Sequence, residues 1–331
     1  MMRELARPDA VLAGGGEMGE LMRSFEWSHT AVGPVEQWPQ SLRTSLSILL
    51  ASGYPMYIAW GPDFIQFYND AYRPILGSSK HPAALGRSST ETFAEIWDFI
   101  GPMFEGVLRD GTTSTYIDQL LPLDRNGYLE ECYFDFSYSP VGAESGAIGG
   151  VFVTCTETTG RVLGDRRLRT LRDLAASGSE AQTAEQACLR ATEVLAANAA
   201  DLPFALLYLL DSEARHARLV GATGLEPGGP FSPVELENVA DCMWPCAEAI
   251  EHGQTVFVSD PDLLGGVLPG GPWPEPCRTA LVLPLAQAGQ EQPAGFLVAG
   301  ISPRRALDED YRGFVQLVAV QIATVIANAR A

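Results

Sequence analysis

The sequence lacks the features that would insert it into a membrane or bind it to a nucleic acid. No apolar run approaches the roughly 18 residues that a membrane-spanning helix needs. The segment MMRELARPDA has no long apolar core of the kind found in signal peptides. Lysine and arginine number 22 against 41 aspartates and glutamates, for a formal net charge of −19. Such a surface repels phosphates, so we expect no nucleic-acid partner. Because the sequence shows neither a membrane-spanning run nor a signal peptide, we also expect no membrane insertion and a cytoplasmic location.

Catalytic motifs are also missing. None of the four histidines has the following glutamate and proline of a phosphate-accepting site, and no nucleophile–base pair or carboxylate dyad is recognisable. We therefore expect no enzymatic activity in this chain. The six cysteines, without a signal peptide, are expected to be reduced thiols.

Three of the cysteines are candidates for a metal-binding or redox role in addition to packing in a core. Cys242 and Cys246 are four residues apart and would lie on one face of a helix predicted over residues 233–251, with Pro245 kinking it. A structural zinc site needs four ligands, usually in close pairs, and Cys277 alone could join them. Small core residues are the favoured interpretation, and no metal is expected. A redox or metal role for the three cysteines is left open.

Gly14, Gly16 and Gly19 form a GxGxxG pattern before the helix-like ELMRSF. In a dinucleotide-binding turn such glycines let the backbone approach a pyrophosphate, and an acidic residue ends a second strand about 20 positions later. Here that region is SHTAVGPVEQWPQS, in which Pro34 and Pro39 prevent a buried strand. We expect a flexible turn within an N-terminal extension over residues 1–39, and no nucleotide site.

With 331 residues, 46% of them hydrophobic, the chain can form about two domains with cores of their own. The first begins with a helix over residues 40–51. Two aromatic strands around the turn at residues 61–63, short helices up to residue 110 and three more strands follow. Asn126-Gly127 predicts a hairpin turn. One face of the next strand is apolar, which predicts an antiparallel sheet with a buried face: Cys132, Phe134, Phe136 and Tyr138.

In FYNDAYRPILG, Asn69-Asp70 is expected to cap a helix that ends at Gly77. With this segment, its order of strands and helices, and TCTE at its end, the block over residues 40–160 resembles a PAS sensor domain. Thr154 stands where that family often has an aspartate at the end of its last strand. Thr156 and Glu157 match the remainder of the family's pattern at that strand end. Hairpin aromatics are more often ordinary core, but four aromatic residues are candidates for lining a ligand pocket: Tyr57, Phe67, Phe134 and Phe136.

The second block, residues 179–331, begins with a predicted helix over 180–199 and closes with one over 308–329. Between them lie strand-like segments, including a hairpin of RTALVLPLAQ with AGFLVAGISP. The phrases EHGQTVFVSD, RTALVLPL and AGFLVAGISPRRALDEDYRG are similar to those of a GAF domain. We therefore predict an α+β fold class, with two sensor modules joined by a signalling helix. Each module has a central antiparallel β-sheet flanked by helices.

A linker helix over residues 161–178 is expected to carry the signal. Leu168, Leu171 and Leu174 are spaced three residues apart with arginines between them, and so narrow a stripe cannot form a core of its own. We expect it to pair with the same helix of a second copy, which would make the protein a homodimer. Thr156 and Glu157, at the exit of the first module, would begin this path.

Together the two modules resemble the N-terminal input half of bacterial hybrid sensor histidine kinases. The resemblance implies a sensing and dimerisation region that passes a ligand- or partner-induced change through helices to an output kinase domain of the same parent chain. The chain ends in a helix-like segment, which we expect to continue into that parent. Two alternatives stay open: the input region of a serine phosphatase or diguanylate cyclase, and a ligand-free dimerisation scaffold. No cofactor is expected, because flavin, bilin and cyclic-nucleotide motifs are missing, but an unknown small-molecule ligand is allowed.

Overall fold

The computed structural model describes residues 11–178, 181–259, 266–287 and 292–330. The chain divides into two compact units, Met1–Val162 and Leu163–Ala331. In both units the strands of the described residues pair in the antiparallel sense and helices flank the sheets, which confirms the predicted α+β class.

The first unit is built on a five-stranded sheet. Its described strands are β1 (Met56–Trp60), β2 (Ile65–Tyr68), β3 (Ser114–Leu120), β4 (Leu123–Asp124), β5 (Leu129–Glu130), β6 (Tyr133–Gly142) and β7 (Ile148–Glu157). The sheet order is β2-β1-β7-β6-β3, while β4 and β5 form a separate hairpin around the predicted Asn126-Gly127 turn. The last strand therefore lies in the middle, between β1 and β6.

Among the described residues of this unit there are five α-helices: α1 (Gly16–Ser24), α2 (Gln40–Ala51), α3 (Arg73–Lys80), α4 (Ser89–Thr92) and α5 (Trp97–Asp110). The predicted helix over residues 40–51 has the same bounds as α2. The predicted cap is also present, because the Asn69 side chain accepts a hydrogen bond from the Tyr72 N–H at 3.2 Å. At Gly77 the backbone is not helical, with φ of +61° and ψ of −169°, so the first helical segment of α3 ends there as predicted and a second short segment continues to Lys80.

Residues 11–39 belong to the core of the first unit, so the predicted N-terminal extension is wrong. Six of their apolar side chains are almost fully buried: Leu12, Met18, Met22, Trp27, Val35 and Trp38. Trp27 stacks on Phe67 with ring centroids 4.7 Å apart, and Trp38 meets the same ring edge-on at 5.5 Å. This segment therefore covers one face of the sheet, and burial of its aromatic rings fixes it there.

The glycine-rich turn is ordered as well, and it binds a carboxylate of the protein itself. Asp70 accepts hydrogen bonds from the N–H groups of Glu17 at 3.1 Å and Met18 at 2.9 Å, at the N-terminus of α1. A Cβ added at Gly16 would lie 2.1 Å from that carboxylate. The positive end of the helix dipole thus has an anionic partner in place of a pyrophosphate.

The second unit contains a six-stranded sheet in the order β10-β9-β8-β13-β12-β11. The strands are β8 (Ala205–Leu210), β9 (Ala217–Thr223), β10 (Glu235–Leu236), β11 (Val256–Ser259), β12 (Thr279–Pro284) and β13 (Gly295–Gly300). The α-helices in the described part of this unit are α7 (Ala184–Ala196), α8 (Cys246–His252) and α9 (Glu309–Arg330), while α6 (Thr159–Ser177) includes residues of both units. The predicted hairpin of β12 with β13 is confirmed, with part of its turn outside the described residues.

Helix α9 is the main apolar helix of this unit. By length and composition alone it could cross a membrane, since its most apolar stretch has a mean hydropathy of 1.3. Gln316, Gln321 and Thr324 interrupt its apolar residues, so it contains no long uninterrupted apolar run. In the structure its buried side chains lie in the core formed with the sheet: Tyr311, Phe314, Val315, Val318, Ile322 and Ile326.

The helix predicted over residues 233–251 is wrong for most of its length. Residues 235–236 form β10, residues 239–241 form a single 3-10 turn, and only Cys246–His252 is α-helical. Pro233 and Pro245 have no N–H to donate to a helix, and the Asn238 side chain accepts from the Ala240 N–H at 3.2 Å instead. Cys242 therefore precedes α8 and does not share a helix with Cys246.

The leucine stripe of α6 does not remain free for a partner helix. Leu174 is buried in the core of the second unit and Leu171 packs against that core, whereas Leu168 is 67% exposed. The two arginines that precede Leu168 also make contacts within this unit. Arg166 donates two hydrogen bonds of 2.9 Å to the fully buried Asp201, and Arg167 lies 3.5 Å from the same carboxylate.

We predict that Asp201→Asn lowers the stability of the second unit by about 3–5 kcal/mol, because it leaves two partly buried guanidinium groups without their anion. Urea denaturation of the full chain measures the change. The control is Asp173→Asn, which breaks an exposed pair with Arg172 and is expected to cost less than about 1 kcal/mol. Equal losses for the two variants would contradict a structural role for the buried pair.

Candidate functional site

The first unit contains a cavity of about 30 Å³ between the sheet and the helices. Strands β1, β6 and β7 supply one wall, and α5 with the segments around it supplies the other. A volume of this size holds one or two water molecules, so a larger ligand requires the wall to move. Six residues of the five-stranded sheet line it: Tyr57, Phe134, Phe136, Tyr138, Val153 and Cys155.

Three of the four predicted pocket candidates lie at this cavity, namely Tyr57, Phe134 and Phe136. Phe67 does not, because it pairs with Ile58 rather than with Tyr57 and lies on the face covered by Trp27. Successive residues of a strand point to opposite faces, so aromatic content alone could not separate the two sets. Tyr138 and Cys155 were missed, although the alternation of β6 places Tyr138 on the face of Phe134 and Phe136.

The polar groups of the cavity are hydroxyls and one thiol. The Tyr57 hydroxyl donates to Gln66 Oε1 at 3.1 Å and also contacts the Ser89 hydroxyl. Tyr72 and Tyr138 line the cavity and are each only 5% exposed. Within the described residues, neither of their hydroxyls has a hydrogen-bond partner. Two hydrogen-bonding groups are therefore free at the cavity wall.

The cavity carries no charge near neutral pH. None of its lining residues is an aspartate, glutamate, lysine, arginine or histidine. Burial raises the pKa of Tyr57, Tyr72 and Tyr138 above the ordinary value of tyrosine, and it raises the pKa of the Cys155 thiol to about 12. An ionised ligand would lose its hydration there without gaining an opposite charge, so the site favours an uncharged molecule.

Glu157 lies at the end of β7, where the sheet of the first unit ends. Its carboxylate accepts two hydrogen bonds of 2.8 Å from Arg125 and one of 2.8 Å from the Thr159 hydroxyl. Arg125 also donates to the Pro74 carbonyl at 3.3 Å and to Glu130 at 3.1 Å. The buried guanidinium thus holds α3, the β4–β5 hairpin and the end of β7 together. Thr156, the other predicted exit residue, is exposed.

In the second unit, the thiols of Cys242 and Cys246 are in contact, with their sulfur atoms 3.1 Å apart. Cys277 is separate, and its thiol donates to the carbonyls of Thr279 and Ile301. Among the described residues, no three histidine, cysteine or acidic side chains are grouped so as to hold a metal ion.

Residues 177–327 match the family model described as the GAF domain. The second unit contains a GAF domain. The solved structures similar to it include the GAF domain of an Acinetobacter phosphoenolpyruvate-protein phosphotransferase, at 20% identity over 49% of this chain and 93% of that one, with a TM-score of 0.38. The free methionine-R-sulfoxide reductase of Neisseria meningitidis is 17% identical over 50% of this chain and 90% of that one, with a TM-score of 0.36.

A methyl-accepting chemotaxis protein is 14% identical over 47% of this chain and 96% of that one, with a TM-score of 0.38. No curated protein matches the chain. The GAF domain is a sensor fold, and some of its structural relatives, such as the reductase, are enzymes. The Cys242–Cys246 pair, the six-stranded sheet and α9 all belong to this GAF domain.

The different bonding of the cavity tyrosines leads to a stability prediction. Tyr57→Phe removes a hydroxyl bonded to two buried partners and is expected to cost about 1–3 kcal/mol in unfolding free energy. Tyr72→Phe removes a hydroxyl that has no hydrogen-bond partner among the described residues, and it is expected to change that free energy by less than about 0.5 kcal/mol. Urea denaturation compares the two. A loss for Tyr72→Phe as large as that for Tyr57→Phe would show that its hydroxyl is bonded after all.

Proposed function

We propose that the chain is the signal-input region of a cytoplasmic sensor histidine kinase and has no catalytic activity of its own. The observation that carries the proposal is the uncharged cavity of the first unit, in a chain that also contains a GAF domain. The sheet of that unit, with the Asn69 cap after its second strand, supports the interpretation as a PAS-like sensor module. The output kinase would be a further domain of the same parent chain.

The ligand of the first unit, in this proposal, is a small uncharged molecule with an apolar body and one hydrogen-bonding atom. The apolar body would meet Phe134, Phe136 and the side chains of the facing helices. Its polar atom would bond the hydroxyls of Tyr72 or Tyr138, which have no partner in the described structure. Movement of α5 on binding would be transmitted to β7 and to Glu157 at its end. No cofactor is part of the proposal.

A ligand-free scaffold is the second candidate, and the small volume of the cavity favours it. About 30 Å³ is less than any organic ligand occupies. In this alternative the tyrosine hydroxyls bind water, and the two modules respond to a protein partner rather than to a small molecule. A titration with small probes separates the two candidates.

Phenol and toluene are the matched probes, because they differ only in the hydrogen-bonding group. We predict that the full chain binds phenol at least about tenfold more tightly than toluene, since phenol alone can bond the free hydroxyls. Its affinity is expected to be unchanged between about pH 6 and pH 8, because burial keeps the tyrosines and Cys155 neutral. Isothermal titration calorimetry measures both. Binding of neither probe would support the ligand-free scaffold.

A filled cavity provides the control. Val153→Ile adds about one methylene to the cavity wall, which is expected to stabilise the free protein by up to about 0.8 kcal/mol and to abolish phenol binding. Thr154→Val, on the neighbouring exposed residue of β7, is expected to leave phenol affinity unchanged. If both variants bound phenol like the parent, the binding would lie outside this cavity.

The proposal also includes a homodimer of the chain. Leu171 and Leu174 pack against the core of the second unit of the same copy. The exposed apolar residues of α9 are therefore the better candidates for contact with a second copy. Leu317 is 50% exposed and Val320 53% exposed, and they are three residues apart on the helix. Such neighbours share one face.

We predict that Leu317→Asp weakens self-association at least about tenfold, because it places a charge in an apolar contact. Sedimentation velocity over a concentration series measures the change. Phe257→Asp, at an equally exposed apolar residue of β11, is the control and is expected to have no effect. A chain that stays monomeric at every concentration would remove the dimer from the proposal.

A further inference from the structure

Cys242 and Cys246 are the one described cysteine pair whose thiols touch. The Cys246 thiol donates to the Cys242 sulfur at 3.1 Å. A disulfide requires about 2.05 Å, so the sulfur atoms need to approach by about 1 Å. Cys242 has extended backbone, with φ of −65° and ψ of 136°, and lies outside α8, so the helix does not fix its position.

The two thiols differ in exposure and in acidity. Cys242 is partly exposed, whereas Cys246 is fully buried. Hydrogen bonds from the Cys246 thiol and the Trp244 N–H hold the pKa of Cys242 below its ordinary value. The Cys246 pKa is raised, because its proton is shared with Cys242 and the group is buried. The more exposed sulfur is therefore also the better nucleophile.

The other described cysteines are arranged differently. Cys132, Cys155, Cys188 and Cys277 are all buried. Burial raises the pKa of Cys155 and Cys188 to about 12 and also raises that of Cys277. Thiols of this kind are inert toward oxidants, since the thiolate is the reactive form.

We propose that Cys242 and Cys246 form a reversible thiol–disulfide site in the GAF domain that is oxidised by hydroperoxides. The Cys242 thiolate attacks the terminal oxygen of the hydroperoxide, the O–O bond breaks, and the alkoxide or hydroxide released takes a proton from solvent. Cys242 is then a sulfenic acid. The Cys246 sulfur attacks it, the S–O bond breaks, and the hydroxyl leaves with the Cys246 proton as water.

The balance is two thiols and one hydroperoxide converted to a disulfide, an alcohol or water, and one further water. An added dithiol returns both electrons and restores the pair. The three residues between the cysteines include Trp244, whose buried indole donates to the Phe231 carbonyl at 2.9 Å. Closure of the disulfide changes this short loop, so the fluorescence of Trp244 should report it. The site does not depend on ligand binding in the first unit.

The test exposes the reduced full chain to hydrogen peroxide, blocks the remaining thiols and maps the peptides by mass spectrometry. We expect a single intramolecular Cys242–Cys246 disulfide that dithiothreitol reverses, with the other four cysteines alkylated only after unfolding. Cys242 is expected to react at least about tenfold faster than any other cysteine of the folded chain. A disulfide between other cysteines, or none, would overturn the proposal.

Two variants at Cys246 separate pairing from simple exposure. Cys246→Ser keeps a hydrogen-bond donor and Cys246→Ala removes it, and both remove the resolving sulfur. We expect Cys242 sulfenic acid to persist in both, trapped by dimedone. The pH midpoint of Cys242 alkylation should stay low in Cys246→Ser and rise in Cys246→Ala. Cys277→Ser is the control for a buried thiol and is expected to form the disulfide like the parent. Equal midpoints in both Cys246 variants would show that Cys246 does not activate Cys242.

Discussion

Burial of both faces of four strands, two in each sheet, is the constraint on which both units depend. A strand places successive side chains on opposite faces, and β1, β2, β8 and β13 are buried along almost their whole length. Each sheet therefore needs a cover on either side. In the first unit, residues 11–39 cover one face, which leaves the other for the cavity.

In the second unit, the two faces of the sheet are buried in two separate hydrophobic cores. One face of its sheet packs against α7 and α9, through residues such as Leu207 and Leu297. The other face carries Tyr208 and Phe296, whose rings stack 4.8 Å apart, and is covered by the segment around Trp244 and α8. Cys242 and Cys246 lie in the segment that covers this face of the sheet. Because the cover contains little regular structure, Cys242 can be partly exposed beside a fully buried partner.

The sequence predicted the parts of this arrangement that depend on local patterns. The bounds of α2, the Asn69 cap, the Asn126-Gly127 hairpin and the alternation in β6 follow from spacing and turn chemistry within a few residues. The parts that failed depend on partners distant in the chain. Trp27 and Trp38 are apolar residues in an irregular segment, and their contact with Phe67, which is distant in the chain, places them in the core. The leucines of α6 looked like a stripe for a second copy because nothing local shows which face Leu174 meets.

The same limit applied to the candidate sites. Tyr57 and Phe67 are equally aromatic, and only the register of β1 with β2 puts them on opposite faces. Cys242 and Cys246 were expected on one helix because a spacing of four suits a helix turn, yet a non-helical backbone brings their sulfur atoms to 3.1 Å. The spacing of four therefore indicated correctly that the two cysteines are close, but a non-helical segment and not a shared helix brings them together.

Three arginines, two of them buried and one partly buried, form paired cation contacts in this acidic chain. Arg125 bonds Glu157 and Glu130, Arg166 bonds Asp201, and Arg304 makes two bonds of 2.9 and 3.0 Å to Glu275. A guanidinium can satisfy a carboxylate with two parallel hydrogen bonds. Removal of either partner leaves the other desolvated and unpaired. The cations are therefore placed where they hold separate elements of one unit together, at the end of β7 and between α6 and the loop that carries Asp201.

The two proposed sites make opposite demands on their surroundings. The cavity of the first unit works by keeping Tyr72, Tyr138 and Cys155 neutral, because an uncharged wall admits an uncharged ligand and rejects ions. The thiol pair of the GAF domain works only if one sulfur ionises, which requires the donors at Cys246 and Trp244. In these proposals Cys155 and Cys242 have different roles, although both are cysteines beside aromatic residues. The difference lies in the hydrogen-bond donors around the sulfur and in its access to solvent, which together decide between a packing thiol and a reactive one.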